Sequence, residues 1–177
     1  AADCPIIVSR AWGIEPALQP DALGLEEGGK FFLARGNVTL CLEENLDWRG
    51  DSQAAGGGVL LDQAYGLIDI LVQTMGTPST VYATIADIAR PGTRFPYDTE
   101  DTAAVICRYS NGTLATITAC WAAGPADWSM HLYGTSGSVH IDANHAVLTD
   151  RSGQSELGRH ARPANPLALQ VNEFLST

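Results

Sequence analysis

The stretch TAAVICRYSNGTLATITACW, residues 102–121, decides the fold of this chain. Two runs rich in apolar residues flank the dipeptide Asn111-Gly112, which favours a two-residue β-hairpin turn because both turn positions need a positive φ. Such a turn places Ile106 opposite Ile117 in the hairpin. Neither face of the hairpin is strongly polar, so we expect helices to cover one face and another subunit to cover the other.

Further extended segments surround this hairpin in the sequence. Apolar or alternating patterns predict strands within residues 5–8, 30–42, 81–88, 130–133, 138–141 and 146–148, and helices at residues 16–25 and 167–175. Most of these strands follow a helix instead of alternating with helices. The pattern therefore favours an α+β domain with an open, mainly antiparallel β-sheet and helices on one face.

The clearest helix spans residues 58–75 and ends at Gly76. Its apolar residues recur at steps of four and three, which predicts one buried stripe: Leu61, Tyr65, Ile68, Val72 and Met75. A polar group, Asp62, Gly66 and Asp69, has the same spacing and shares another face of this helix. In the simplest interpretation, Asp62 only favours the helix dipole and Asp69 only faces solvent.

The composition suits one compact domain of ordinary size. The 177 residues are 45% apolar, and 10 Lys and Arg against 20 Asp and Glu give a formal net charge of −10. We expect no nucleic-acid partner, because so acidic a chain repels phosphate backbones. We also expect no membrane partner, because no apolar run approaches the about 20 residues that a membrane span needs. Four cysteines without CxxC spacing predict small core side chains and a cytoplasmic location.

The sequence contains no recognisable cofactor or metal motif. The segment Gly56-Gly57-Gly58 lacks the GxGxxG spacing of a dinucleotide loop, and no Walker lysine follows it. The four histidines form no helical pair and have no cysteines at ligand spacing. We therefore expect no cofactor-binding residue and no metal site in this chain.

Short motifs follow one another in a fixed order along the chain: DWRGD (47–51), AGGGVLLD (55–62), IDIL (68–71), MGTP (75–78), EDTA (100–103), the Asn111-Gly112 turn, Trp121 and YGTSGS (133–138). Each motif alone is weak. Their order and spacing together closely resemble the C-terminal domain of the Gfo/Idh/MocA oxidoreductases. The resemblance covers residues 30 to 175.

The resemblance implies a two-domain parent protein whose N-terminal Rossmann domain binds NAD or NADP. Residues 1–29 would be the end of that Rossmann domain, and residues 30–177 a substrate and oligomerisation domain that is cut short at its C-terminus. The phosphate-binding loop and a lysine that is important in the family would precede Ala1. The fragment alone is therefore expected to bind no cofactor and to be inactive. We expect a homo-oligomer through the open sheet face, unless another segment of the chain covers that face.

In the family this helix usually reads Asp-x-x-x-His-x-x-Asp, with the first Asp and the His flanking the substrate carbon. An imidazole suits proton transfer because its ordinary pKa lies near neutrality. Asp62 and Asp69 match this pattern, but Gly66 stands at the histidine position. The resemblance thus implies Asp62 as the catalytic residue and Arg49, Gly66 and Asp69 as substrate-binding residues. The proton would move through the upstream lysine or through a water held by Asp62, unless catalysis has been lost.

Three functions remain open at this point. The first is an oxidoreductase that acts on a sugar, a cyclitol or a related polyol. The second is a non-catalytic regulator of the same fold that senses a sugar or a nucleotide, which the missing histidine motivates. The third, NAD-dependent glycoside cleavage, ranks below both. A GxGxxG loop and a lysine upstream of Ala1 would distinguish the first function from the second.

Overall fold

A computed structural model describes residues 28–42, 45–88, 96–142 and 145–159 of the chain. These residues form eight strands: β1 (Phe31–Cys41), β2 (Thr80–Ala86), β3 (Thr102–Arg108), β4 (Leu114–Cys120), β5 (Ala122–Gly134), β6 (Ser138–Asp142), β7 (His145–Asp150) and β8 (Gly153–Arg159). Between β1 and β2 lie a 3-10 helix (Asp47–Gly50) and the helices α1 (Ser52–Ala55), α2 (Val59–Asp62) and α3 (Tyr65–Met75). None of these helices is long and apolar enough to cross a membrane. The segments predicted at residues 5–8, 16–25 and 167–175 lie outside the described residues.

The strands form one open sheet in the order β2-β3-β4-β1-β5-β6-β7-β8. Among the described strands, β1 and β4 are parallel, and all other neighbours are antiparallel. β1 thus lies between two strands that follow one another directly, because β4 ends at Cys120 and β5 begins at Ala122. α2 and α3 pack against β1, β3 and β4. The predicted fold class, an open and mainly antiparallel sheet with helices on one face, is confirmed.

The central hairpin forms, but its register differs by one residue from the prediction. Ile106 lies opposite Thr116, not opposite its predicted partner. The loop has three residues, because the Tyr109 N–H donates to the Thr113 carbonyl at 3.0 Å and closes the ladder there. Gly112 supplies the positive φ of this loop, 87°. A slip of one residue exchanges the two faces of a strand, so Ile106 lies on the exposed face and is 50% exposed.

The single helix predicted over residues 58–75 is two helices, and the prediction of its buried face was wrong. Two residues separate α2 from α3. Leu61, Ile68 and Val72, which we call the outer stripe, are 60%, 40% and 44% exposed. The residues that pack into the core are instead Val59, Ala64, Leu67, Ile70 and Leu71. Of the predicted stripe, only Tyr65 and Met75 are partly buried, and Met75 packs against the core. α3 is apolar on two sides, and spacing alone does not tell which side meets the sheet.

Side chains alternate across the sheet between a covered face and an open face. The covered face holds the almost fully buried strand residues of the core: Ala34, Val38, Ala103, Val105, Ala115, Ile117, Ala119, Met130, Leu132, Val139, Ile141, Ala146 and Leu148. The open face carries a row of residues paired from strand to strand: Tyr82, Ile106, Thr116, Arg35, His131 and His140. The ring centroids of His131 and His140 lie 4.1 Å apart.

Two smaller predictions also changed. Cys107 is buried as predicted, whereas Cys41 is exposed and Cys120 is partly exposed. The last strand, β8, was not predicted. Its side chains from Gly153 to Glu156 are exposed, so this edge strand has no apolar alternation that a sequence pattern could reveal.

Candidate functional site

Arg49 and Asp62 meet where α2 ends. Nη1 of Arg49 lies 3.9 Å from Oδ2 of Asp62, and the two side chains are 33% and 27% exposed. The Gln63 side chain donates from Nε2 to the same Oδ2 at 2.6 Å. Oδ1 of Asp62 therefore has no hydrogen-bond partner within the described part of the chain. The pair presents a carboxylate acceptor beside a guanidinium donor, a combination that can bind hydroxyl groups.

A turn with left-handed backbone presents Arg49. Within the 3-10 helix, Asp47 takes a φ of 49°, a conformation that Asp and Asn tolerate better than most residues. The Oδ1 atom of Asn45 accepts the Asp47 N–H at 3.2 Å. The Arg49 carbonyl accepts the hydroxyl of Thr99 at 3.3 Å, from a segment 50 residues away. Local chain geometry and a distant segment thus both fix the position of Arg49.

Glu100 holds the beginning of α2. Its Oε2 accepts the Gly58 N–H at 2.6 Å, and its Oε1 accepts the Leu60 N–H at 3.2 Å. Its own carbonyl accepts the Val59 N–H at 3.0 Å. A Cβ atom on Gly58 would overlap that carbonyl oxygen, so only glycine fits there. No local pattern indicates this contact, because its partners lie about 40 residues apart in the sequence.

The other two predicted site residues lie on α3. Gly66 is buried in the first turn, and Asp69 is partly exposed and accepts Nε2 of Gln73 at 2.6 Å. Two residues interrupt the helix between Asp62 and Gly66. Asp62, Gly66 and Asp69 therefore do not share a face of one continuous helix, contrary to the prediction. The structure brings Arg49 to Asp62, whereas Asp69 pairs within its own helix.

An exposed apolar residue precedes each member of the Arg49–Asp62 pair in the sequence, and sequence reasoning missed this exposure. Trp48 precedes Arg49 and is 65% exposed. Leu61, the first residue of the outer stripe, precedes Asp62. The helical spacing of this stripe was visible in the sequence, but we assigned it to the core. Apolar residues exposed beside a polar pair are typical of a surface that a ligand or another domain covers.

An open groove of about 580 Å³ lies beside the 3-10 helix and is lined by Gly50, Asp51, Gln53, Pro96, Tyr97 and Asp98. The Tyr97 hydroxyl donates to Oδ2 of the fully buried Asp101 at 3.0 Å. Burial, followed by this hydrogen bond, raises the pKa of Tyr97 to about 12. Tyr97 therefore stays a neutral donor at physiological pH, and it anchors the chain just before β3.

The glycine-rich segment before α2 does not fit a dinucleotide phosphate. A phosphate at a helix start needs free backbone N–H groups. The N–H groups of Gly58 and Leu60 already bind the Glu100 carboxylate. Among the described residues, no three His, Cys, Asp or Glu side chains are grouped so that they could hold a metal ion.

Solved structures share this fold. The chain superposes on levoglucosan dehydrogenase, solved in complex with NADH and levoglucosan, with a TM-score of 0.77 and 19% identity over 95% of this chain and 54% of that chain. An NAD-binding oxidoreductase from Klebsiella pneumoniae matches with a TM-score of 0.70 and 19% identity over 84% of this chain and 45% of that one. GenD2 from gentamicin A biosynthesis, in complex with NAD, matches with a TM-score of 0.63 and 22% identity over 76% and 38%. The chain thus spans about half the length of these structures or less.

Sequence comparison gives the family. No curated protein matches the chain. The model of the GFO/IDH/MocA C-terminal domain matches residues 26–140. That range contains β1 to β5, the three helices and both members of the Arg49–Asp62 pair. Because the match extends over well over half of the 177 residues, the chain belongs to the GFO/IDH/MocA C-terminal domain family.

Proposed function

We propose that this chain is the substrate-side, C-terminal domain of an NAD(P)-dependent oxidoreductase that acts on a sugar, a cyclitol or a related polyol. Membership of the family supports the oxidoreductase class. Structures of levoglucosan dehydrogenase with levoglucosan and with L-sorbose support a sugar-like substrate. The observation that carries the proposal is the partly exposed Arg49–Asp62 pair, each member of which follows an exposed apolar residue in the sequence.

In this proposal Asp62 is the catalytic residue. Its Oδ1, which has no hydrogen-bond partner among the described residues, accepts a hydrogen bond from the substrate hydroxyl that is oxidised, and Arg49 donates to a neighbouring substrate oxygen. Gly66 stands at the position where the resemblance to the family implies a histidine, and we place it and Asp69 among the substrate-binding residues. The hydroxyl proton leaves through a water held by Asp62 or through a lysine outside this chain.

The cofactor would be held outside this chain. The N–H groups that follow Gly57 are occupied by Glu100, so the described residues offer no phosphate cradle. We propose that residues 1–29 are the end of a Rossmann domain that binds NAD or NADP, and that residues 30–177 form the substrate domain. In calorimetry, the 177-residue chain should bind NADH or NADPH no more tightly than about 100 µM. Tighter binding would contradict both the boundary and the location of the cofactor site.

Kinetics of the full-length enzyme test the role of Asp62. Reduction of NAD⁺ and NADP⁺ is followed with a panel of sugars, cyclitols and polyols. Because a hydrogen bond to a charged group contributes about 1.5–3 kcal/mol, Asp62→Asn should lower kcat/KM about ten- to a hundredfold. An unchanged kcat/KM would contradict the catalytic role. Sugar binding without turnover in the wild type would identify a sensor instead.

Asp150→Asn is the matched control for this substitution. Asp150 also uses its carboxylate as a hydrogen-bond acceptor, from the N–H groups of Ser152 and Gly153 at 2.7 and 3.2 Å. It lies in the turn between β7 and β8, whereas α2 packs against β3 and β4 on the other side of β1 in the sheet. The same exchange of carboxylate for amide should leave kcat/KM unchanged there.

The proposal also includes a homo-oligomer formed through the open face. Tyr82, Ile106 and Leu114 lie on this face and are 65%, 50% and 44% exposed. They are neighbours on β2, β3 and β4, so they form a continuous apolar area. A second copy of the chain that presents the same area would bury it.

A further inference from the structure

Residues 98–100 contact both the chain around Arg49 and the chain around Asp62. The N–H of Asp98 donates to the Gly50 carbonyl at 2.9 Å. The Asp98 carboxylate accepts the N–H and the hydroxyl of Ser52 at 2.7 and 3.1 Å. The Thr99 hydroxyl donates to the Arg49 carbonyl at 3.3 Å. Residues 98–99 thus fix the chain that carries Arg49, and the next residue is Glu100.

Glu100 fixes the chain that carries Asp62. Both of its carboxylate oxygens and its carbonyl accept N–H groups from three consecutive residues, 58–60. α2 has only four residues, too few to be stable as an isolated helix, so its position depends on such external contacts. The Asp62 N–H donates to the Gly58 carbonyl at 2.9 Å. Asp62 therefore lies one helical turn from the residue that Glu100 holds.

The segment that carries Glu100 is itself anchored. The next residue, Asp101, is fully buried. Its carboxylate accepts the hydroxyls of Tyr97 and Thr102 at 3.0 and 2.7 Å and the N–H of Ile88 at 3.2 Å. Glu100 is thus attached to the core at the start of β3, and a displacement of its carboxylate would be transmitted to α2.

We propose that Glu100 is a positioning residue for Asp62. It acts through the beginning of α2 and sets the 3.9 Å separation between Asp62 and Arg49, while residues 98–99 hold the Arg49 side. The proposal rests on the catalytic role proposed for Asp62. In this geometry each oxygen of the Glu100 carboxylate accepts one N–H, that of Gly58 or that of Leu60. A glutamine has one acceptor, and its NH2 group would face an N–H donor.

The test is a double-mutant cycle in the full-length enzyme with Glu100→Gln, Asp62→Asn and the double variant. Displacing a catalytic group by about 1 Å can reduce the rate a hundredfold, so we expect Glu100→Gln to lower kcat about ten- to a hundredfold. KM should change less than about threefold, because the substrate-binding groups remain. If Glu100 acts through Asp62, the double variant should be no slower than Asp62→Asn alone.

The cycle separates failure of this proposal from failure of the proposed function. If Asp62→Asn lowers activity but Glu100→Gln does not, or if the two effects multiply, the positioning role is overturned. If Asp62→Asn has no effect, the catalytic role of Asp62 fails, and the positioning role fails with it. Asp150→Asn serves again as the matched control. It also replaces a carboxylate that accepts backbone N–H groups, but in the turn between β7 and β8, so it should not affect kcat.

A second variant covers the case in which Glu100→Gln does not fold, as judged by near-ultraviolet circular dichroism. Glu100→Asp keeps the charge and both acceptor oxygens but is one methylene shorter. It should keep more of the wild-type kcat than Glu100→Gln. If Glu100→Asp folds and has the wild-type kcat with the same dependence on Asp62→Asn, the position of the Glu100 carboxylate is irrelevant and the proposal is overturned.

Discussion

The covered face and the open face of the sheet use the same strands in different ways. In β3, Val105 points to the covered face and is 7% exposed, whereas the next residue, Ile106, points to the open face and is 50% exposed. Both are β-branched apolar residues, so hydrophobicity does not distinguish them. The difference arises because α2 and α3 cover one face only. We infer that the covered face determines the free energy of unfolding and that the open face determines association.

The largest effect should follow from a cavity under α3. Leu67 is fully buried and packs over Gly36 of β1. Removing a buried leucine side chain costs about 2–5 kcal/mol, so we expect Leu67→Ala to lower the free energy of unfolding by about 3 kcal/mol in urea titrations. The control is Leu61→Ala in the outer stripe, which is 60% exposed and should change little. Equal losses in the two variants would contradict the orientation of the helices.

The second effect concerns the buried hydroxyl that binds Asp101. Tyr97→Phe removes the hydrogen bond to a fully buried carboxylate. Removing one hydrogen-bond donor from a buried acceptor costs about 1–3 kcal/mol, and we expect a loss of about 2 kcal/mol in the same titrations. Tyr82→Phe is the matched control, because Tyr82 is 65% exposed on the open face. A large loss of stability in Tyr82→Phe and none in Tyr97→Phe would contradict the stabilising role of the buried hydroxyl.

The same tyrosine predicts how stability depends on alkaline pH. The pKa of Tyr97 is raised from 10.0 to about 12, mainly by burial. In the unfolded chain the phenol ionises above pH 10, whereas in the folded chain it stays neutral until about pH 12. The stabilisation from Tyr97 is therefore complete below pH 10 and is lost as the pH rises towards 12. Tyr97→Phe should show a smaller decrease in stability over this range.

A charge on the open face should weaken association without unfolding the chain. We expect Ile106→Asp to raise the dissociation constant of the homo-oligomer at least about tenfold, because an unpaired charge would enter an apolar interface. Val72→Asp places the same charge on the outer stripe and should leave association unchanged. Light scattering at tens of micromolar measures both variants. A wild-type chain that is monomeric under these conditions would contradict the proposed oligomer.

The smallest effect should come from His131 on the open face. Burial, then His140 and then Arg35 lower the pKa of His131, and Asp127 partly opposes them. The folded chain thus disfavours the protonated ring, so stability should decrease as the pH falls below the ordinary value of 6.5. We expect His131→Gln to reduce the difference between the urea midpoints at pH 7.5 and 5.5. An unchanged difference would show that His131 does not contribute to it.

The fold was predictable where a pattern admits one interpretation. The runs on either side of Asn111-Gly112 predicted β3 and β4, and the clustering of strands after the helix predicted the mainly antiparallel sheet. The observed register of this hairpin differs from the predicted one by one residue, because Ser110 joins the loop and the Asn111 side chain accepts the Thr113 N–H at 3.0 Å. The buried side of α3 was not predictable from spacing, because Ile68 and Leu67 lie on different apolar sides of the same helix.

Both members of the Arg49–Asp62 pair were named from the sequence, but the contacts that hold them were not. Asp62 and Arg49 followed from the resemblance to a family. Glu100 and Thr99 contact the segments that carry Asp62 and Arg49 from about 40 to 50 residues away in sequence. No local pattern encodes such contacts, because they form only when the segment before β3 packs beside α2.

The central position of β1 has a consequence for folding. β1 is made before β4 and β5 during synthesis, yet it lies between them, parallel to one and antiparallel to the other. Until β1 docks, β4 and β5 each present an unpaired edge, and such edges invite pairing with other chains. Contacts of this kind join residues about 80 to 100 positions apart, which slows folding. We therefore expect β1 docking to limit the folding rate and to be the step at which nascent chains aggregate.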